Sequence, residues 1–225
     1  MISLSVTLLA TPGLASPFGP LGYGTHLEGT DFDGDGLDDL AFHRPGSTWN
    51  TVPVAFSDGG GTWTPTNHPV PRANDVVIQA IAGDFDGDGR TDFAMRQERH
   101  GWWFGGFSEF PVALSNGNGS FHYVAPTAPS GLVHDVDAEP VVGDYDGDGL
   151  DDIAFHYRWS PFPRTTLLVL YSNGDGTWRD VTHAVPSWAN QYDVRAHAID
   201  HDGDGLTDLV FQRPGGGWSS IPVLQ

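Results

Sequence analysis

The chain has 225 residues and a formal net charge of −19, from 29 acids against ten bases, with 30 glycines, 17 prolines and no cysteine. The missing cysteine excludes a disulfide framework and thiol chemistry. The acidity argues against nucleic acid as a partner, and the glycine and proline content argues against long helices. All ten bases are Arg, which removes Schiff-base and lysine-nucleophile mechanisms, and no apolar run reaches transmembrane length. With 39% hydrophobic residues the chain can still bury a core.

Residues 1–17 (MISLSVTLLATPGLASP) share the apolar character of a secretion signal but lack its basic n-region, so they read as part of the fold. The first strong motif comes next, DFDGDGLDD at Asp31 to Asp39. It recurs as DFDGDGRTD at Asp84 to Asp92, DYDGDGLDD at Asp144 to Asp152 and DHDGDGLTD at Asp200 to Asp208. Acids at positions 1, 3, 5 and 9, with glycines at 4 and 6, let a short loop curl around one hard cation. Ca²⁺ takes roughly 6–8 oxygens at about 2.3–2.6 Å.

The expected ligand sets are Asp31, Asp33, Asp35 and Asp39 with the carbonyl of Leu37, and Asp84, Asp86, Asp88 and Asp92 with that of Arg90. The other two are Asp144, Asp146, Asp148 and Asp152 with Leu150, and Asp200, Asp202, Asp204 and Asp208 with Leu206. The expectation is four Ca²⁺ per chain. The pattern departs from an EF-hand, which needs a bidentate Glu at position 12. Position 12 here is Phe42, Met95, Phe155 or Phe211, inside an apolar run that reads as a strand. Four Ca²⁺ would bring the net charge of −19 to about −11 and relieve the repulsion within each loop.

A second mark repeats with the loops: SDGGGTW at Ser57, SNGNGSF at Ser115 and SNGDGTW at Ser172, each a hairpin turn followed by an aromatic residue. Strands such as TVPVAF, FPVAL and TLLVLY precede the turns. Strands such as VVIQAIAG, AEPVVG and VRAHAI lead into the next loop. The loops begin at 31, 84, 144 and 200, so one repeat is about 56 residues and about four antiparallel strands, the size of one β-propeller blade. The expected fold is therefore all-β: a β-propeller of four blade-length repeats forming a single domain over residues 1–225. Its fourth blade is split, with the N-terminal residues supplying the half-repeat that the C-terminal end lacks. Half of an eight-bladed ring completed by a second chain, or a segment of a longer array, are the alternatives.

Alignment on position 9 exposes a further constellation. Four residues on lie His43, Arg96, His156 and Gln212; five on lie Arg44, Gln97, Tyr157 and Arg213; ten on lie Trp49, Trp102, Phe162 and Trp218. His, Gln and Arg beside an aromatic platform suit carbohydrate, whose CH face stacks on Trp while its hydroxyls pair with polar groups. The candidate sugar-binding residues are His43, Arg44, Trp49, His100, Trp102, His156, Arg158, Gln212, Arg213 and Trp218. The alternative is that these aromatics pack between blades and the Arg tie loops together. No Gly-x-Ser-x-Gly elbow, His-Glu-x-x-His or P-loop is present, so a catalytic role is not expected.

The Asp-Gly loops, each followed by a strand, resemble the FG-GAP or VCBS calcium repeats of integrin alpha-chain propellers and of many secreted microbial proteins. The stretch WNTVPVAFSDGGGTWTPTNHPV followed by AIAGDFDGDGRTDFAM is similar to repeats of fungal and bacterial propeller lectins. That resemblance implies a calcium-stabilised, secreted, non-catalytic lectin whose partners are glycans. It equally implies a protein-binding or self-assembling extracellular surface module, including a homo-oligomer. Propeller lectins usually carry more than four blades.

Overall fold

A computed structural model describes residues 25–43, 48, 50–73, 78–97, 108–129, 138–157, 164–191, 193–215 and 222–224. These residues are all strand, turn and irregular connection, arranged as four antiparallel sheets with no helix among them. The first sheet orders β1 (Thr25–Thr30), β2 (Asp39–His43), β3 (Thr51–Ser57) and β4 (Trp63–Pro69) side by side. The second orders β5 (Ile78–Gly83), β6 (Asp92–Gln97), β7 (Val112–Ser115) and β8 (Phe121–Val124). The third orders β9 (Ala138–Gly143), β10 (Asp152–Tyr157), β11 (Thr166–Ser172) and β12 (Trp178–Ala184). The fourth holds β13 (Arg195–Ile199), β14 (Asp208–Gln212) and β15 (Val223–Leu224). The N-terminal half-repeat expected to complete it lies outside the described residues.

Each sheet is one repeat, and the strand order follows the chain, as in a blade. The first strands β1, β5, β9 and β13 lie next to one another in that order. Every Asp loop is the hairpin between the first and second strands of its blade. It is closed by the pairs Thr30↔Asp39, Gly83↔Asp92, Gly143↔Asp152 and Ile199↔Asp208.

The cores lie between blades. One joins Phe32, Val52 and Val54 of blade 1 to Phe93 and Met95 of blade 2. The next joins Phe85, Phe110 and Val112 of blade 2 to Ile153, Phe155 and Leu170 of blade 3. The third joins Ala154 and Val169 of blade 3 to Val194, just ahead of β13, and to Leu209 and Phe211 of blade 4. Blade 3 is therefore covered on both faces. This explains why TLLVLYS in β11 is a continuous apolar run rather than an alternating one. The last strands of blades 1 and 3, β4 and β12, carry mostly exposed side chains, in keeping with TWTPTNHP and WRDVTHA.

The three seams between blades share one backbone hydrogen bond. The N–H of loop position 8 donates to the carbonyl of position 1 in the preceding loop: Thr91 to Asp31 at 2.5 Å, Asp151 to Asp84 at 2.8 Å and Thr207 to Asp144 at 2.7 Å. The position-8 side chain returns a bond in two seams. Thr91 Oγ1 accepts from the Asp31 N–H at 3.0 Å, and Asp151 Oδ2 accepts from the Asp84 N–H at 2.8 Å. The hairpin-turn serines reach back as well, Ser115 Oγ to the Phe32 carbonyl and Ser172 Oγ to the Phe85 carbonyl, both at 2.6 Å. The turn aromatics do the same: Phe121 stands edge-on to Phe32 at 6.1 Å and Trp178 edge-on to Phe85 at 5.1 Å.

Candidate metal centres

The loop begins with a carboxylate that organises its own backbone. Asp31 Oδ1 accepts the Gly34 N–H at 2.6 Å and the Asp35 N–H at 3.2 Å, and Oδ2 accepts the Gly36 N–H at 2.8 Å. To point three successive N–H groups at one side chain the chain must pass through the left-handed region. Gly34 and Gly36 do so at φ +80° and +86°, where a side chain would be strained. The same bonds recur from Asp84 to Gly87, Asp88 and Gly89, from Asp144 to Gly147 and Gly149, and from Asp200 to Gly203 and Gly205.

The loop ends with a carboxylate that is buried. Asp39, Asp92, Asp152 and Asp208 are between 0% and 3% exposed. Asp39, Asp92 and Asp152 each bridge two distant parts of their blade. Asp39 accepts from Phe32 N–H at 2.9 Å and Ser57 N–H at 2.8 Å; Asp92 accepts from Phe85 at 2.9 Å and Ser115 at 2.6 Å. Asp152 accepts from Tyr145 at 3.0 Å and Ser172 at 2.8 Å, and Asp208 accepts from His201 at 2.9 Å. In blades 1 to 3 position 9 thus fixes both the start of the Asp loop and the start of the hairpin turn. Sequence reading saw a metal ligand there but missed the second role. The signal was the serine that opens every hairpin turn in register with it.

Positions 1, 3 and 9 converge in all four loops. One carboxylate oxygen from each of Asp31, Asp33 and Asp39 lies within 4.8 Å of the others, and so do those of Asp84, Asp86 and Asp92, of Asp144, Asp146 and Asp152, and of Asp200, Asp202 and Asp208. Position 5 stands apart from these clusters. Asp35, Asp88, Asp148 and Asp204 each turn a carboxylate oxygen to the N–H of position 7, at 2.8–3.0 Å. The position-7 side chains Arg90, Leu150 and Leu206 cover Gly34, Gly87 and Gly147 of the preceding loop.

The electrostatics are those of anions held together. Burial pushes Asp92 and Asp152 up to about 7, and the acids at positions 3 and 5 of the same loop add to the shift. Asp39 is raised by the same cause, with Asp33 and Asp31 contributing. Asp33 and Asp86 are raised by burial and by their neighbouring aspartates. Three hard oxygen donors that repel one another fit a divalent cation, and its charge would restore the ionised form.

The expected sugar-binding residues divide. His43 and His156 are 4% and 0% exposed, so neither offers a face to a glycan. Burial lowers the pKa of His43. His156 Nε2 bonds the Ala189 carbonyl at 2.6 Å, and its ring stands edge-on to Phe211 of blade 4. Arg96, at the same repeat position, is buried and bonds the Ala138 carbonyl of blade 3. His156 and Arg96 are seam residues, because groups of the next blade pack against them. Gln212, the fourth member, is exposed, and Arg213 pairs with Asp193 at 2.5 Å. Arg44, Trp49, His100, Trp102, Arg158 and Trp218 lie outside the described residues.

No curated protein matches the chain in sequence. Among solved structures, an Agrocybe aegerita lectin studied for specific recognition of non-reducing terminal N-acetylglucosamine is similar at 16% identity and a TM-score of 0.42. The match covers 84% of this chain, which spans 61% of that one. From the Asp loop of blade 1 into the second strand of blade 2, residues 31–95 match the family model of an FG-GAP-like repeat.

Proposed function

We propose that the chain is a calcium-stabilised, non-catalytic propeller that works outside the cell and binds carbohydrate. The observation that carries the reading is the recurrence of one three-carboxylate cluster at the same hairpin of all four blades. An all-oxygen, all-Asp donor set selects a hard cation, and loops of this kind suit the millimolar Ca²⁺ of extracellular fluids.

The sugar would be held at the opposite end of the blades. β2, β6, β10 and β14 each start at position 9 and run five or six residues away from it. At about 3.3 Å per residue the connections that carry Arg44, Trp49, Trp102, Arg158 and Trp218 begin roughly 17–20 Å from the acids. Metal and glycan chemistry are therefore separable.

Elemental analysis of the purified protein should give four calcium ions per chain, and a value of zero or one overturns the metal half. A glycan array probed with the calcium-loaded protein should show binding that the Trp49→Ala, Trp218→Ala double variant loses while keeping its calcium. An array with no bound glycan, or a double variant that binds as tightly as the parent, overturns the carbohydrate half.

A further inference from the structure

The three seams inside the chain use the same two complementary surfaces. The leading face of each following blade brings the position-8 N–H and the position-7 side chain, joined in blades 2 and 3 by the position-8 side chain, the turn serine and the turn aromatic. The trailing face of each preceding blade brings the position-1 backbone, the position-2 carbonyl and the position-4 glycine. Four blades have four of each face, and three seams use three of each.

The unused leading face belongs to blade 1, and its residues are uncovered. Asp38, at position 8, is exposed, whereas its equivalent Asp151 bonds the preceding loop. Ser57 is half-buried where Ser115 and Ser172 are buried on the carbonyls of the blade before them. Trp63 is 40% exposed, whereas its equivalents Phe121 and Trp178 pack on Phe32 and Phe85. A Cβ on Gly61 would meet nothing within 4 Å, whereas one on Gly119 or Gly176 would meet Thr66 or Val124 of the preceding blade.

The unused trailing face belongs to blade 4. Asp200 and His201, at positions 1 and 2, are exposed, whereas Phe32 and Phe85 are fully buried. Ile199 is 46% exposed. Gly203 meets nothing within 4 Å, whereas Gly34, Gly87 and Gly147 lie under the position-7 side chain of the following loop.

We infer that these two faces are the halves of a fourth seam, formed between chains: the leading face of blade 1 docks on the trailing face of blade 4 of a second copy. The occupant is specified by continuity with the existing seams. Asp38 would accept the Asp200 N–H as Asp151 accepts that of Asp84, Ser57 Oγ would donate to the His201 carbonyl, Trp63 would cover position 2, and Leu37 would cover Gly203. Among the described residues both faces stay exposed. The contact is head-to-tail, so it closes into a ring or propagates according to the rotation per chain. The net charge of −19 opposes association at low salt, which sets the conditions of the test.

Sedimentation across a concentration series, in calcium-containing buffer at about 0.15 M salt, should give a mass at least double the 24.2 kDa of one chain. Trp63→Asp and Ile199→Asp should each reduce the assembly to one chain. An equimolar mixture of the two should recover a dimer and nothing larger, because each variant retains one working face. A monomer at every concentration, or single variants that remain assembled, overturns the proposal.

A second test does not depend on those variants folding as expected. In the seam between blades 3 and 4, a Cβ on Gly143 falls 2.9 Å from that of Thr207. The equivalent pair across the proposed seam is Ile199 and Asp38, near the ~3.5–4.5 Å span of a disulfide. In a chain without cysteine, separately made Asp38→Cys and Ile199→Cys proteins should cross-link to each other on oxidation. If they do not, or if the double variant oxidises only to a bridged monomer, the seam is not between chains.

Discussion

The two ends of each blade obey different rules. At the Asp-loop end every loop has the same length, the same two glycines and the same carboxylate-to-backbone bonds. At the far end the connection between the second and third strands runs from seven residues (44–50) to fourteen (98–111). The Asp-loop end is uniform because up to three constraints meet there: the loop's own N–H groups and, in blades 1 to 3, the hairpin turn reached by position 9 and the next blade's position 8. The far end is free of them, and length variation on a fixed scaffold is where recognition is expected to reside.

The sharpest way to break this contrast is to remove the ion. If calcium binds only the folded chain, with affinities near ~10⁻⁴ M and ~1 mM calcium, each site contributes roughly 1.4 kcal/mol, or about 5–6 kcal/mol for four. Chelation should lower the thermal midpoint strongly, as read by calorimetry. A midpoint that does not move, once elemental analysis shows the ions gone, means the loops hold themselves.

Next in size is Asp92→Ala. It strands the N–H groups of Phe85 and Ser115 in the interior and should cost about 3–4 kcal/mol. Because this loss is structural it should persist in chelator, when measured by urea unfolding. Asp88→Ala, at position 5, should matter much less there. Equal losses for the two would mean position 9 is a ligand and nothing more.

The far end of the second strand offers a matched pair. His156→Ala empties a buried seam position and should cost about 2–3 kcal/mol. Gln212→Ala, at the same repeat position but exposed, should stay within about 0.5 kcal/mol. A large loss at Gln212 would show that blade 4 is covered there.

The smallest effect is the pH response of the chelated protein. Asp92 and Asp152 titrate near 7 when folded, against an ordinary value of 3.8. The folded state therefore holds extra protons between those values. Its stability is greatest below about 3.8 as far as these groups are concerned, and falls as pH rises through about 7. The calcium-loaded protein should respond with the opposite sign, because the ion competes with those protons. Midpoints of the two forms tracked from pH 5 to 8 should converge at the acid end.

Much of this architecture is written in local sequence. The Asp loops, the Ser-x-Gly turns and the apolar runs between them are short-range signals, and each falls where its pattern places it. What local reading misses is the next blade. His43, Arg96, His156 and Gln212 form a polar column that reads as an exposed site. Yet His156 bonds a carbonyl at Ala189 and Arg96 one at Ala138, tens of residues further on. Position 8 escapes local reading for the same reason: Asp38, Thr91, Asp151 and Thr207 all carry a side-chain oxygen, but two of the acceptors are engaged only by a neighbouring loop. Burial created between repeats leaves no periodic mark within one of them.

The position-9 clamp has a consequence for force. One carboxylate holds the chain at Phe32 and again at Ser57, so β2 and β3 cannot peel apart under tension until that clamp opens. Blades 1 to 3, which share this clamp, then behave as latched units. Pulled from its ends, the chain would yield in steps of one repeat, each releasing on the order of 200 Å of extended chain.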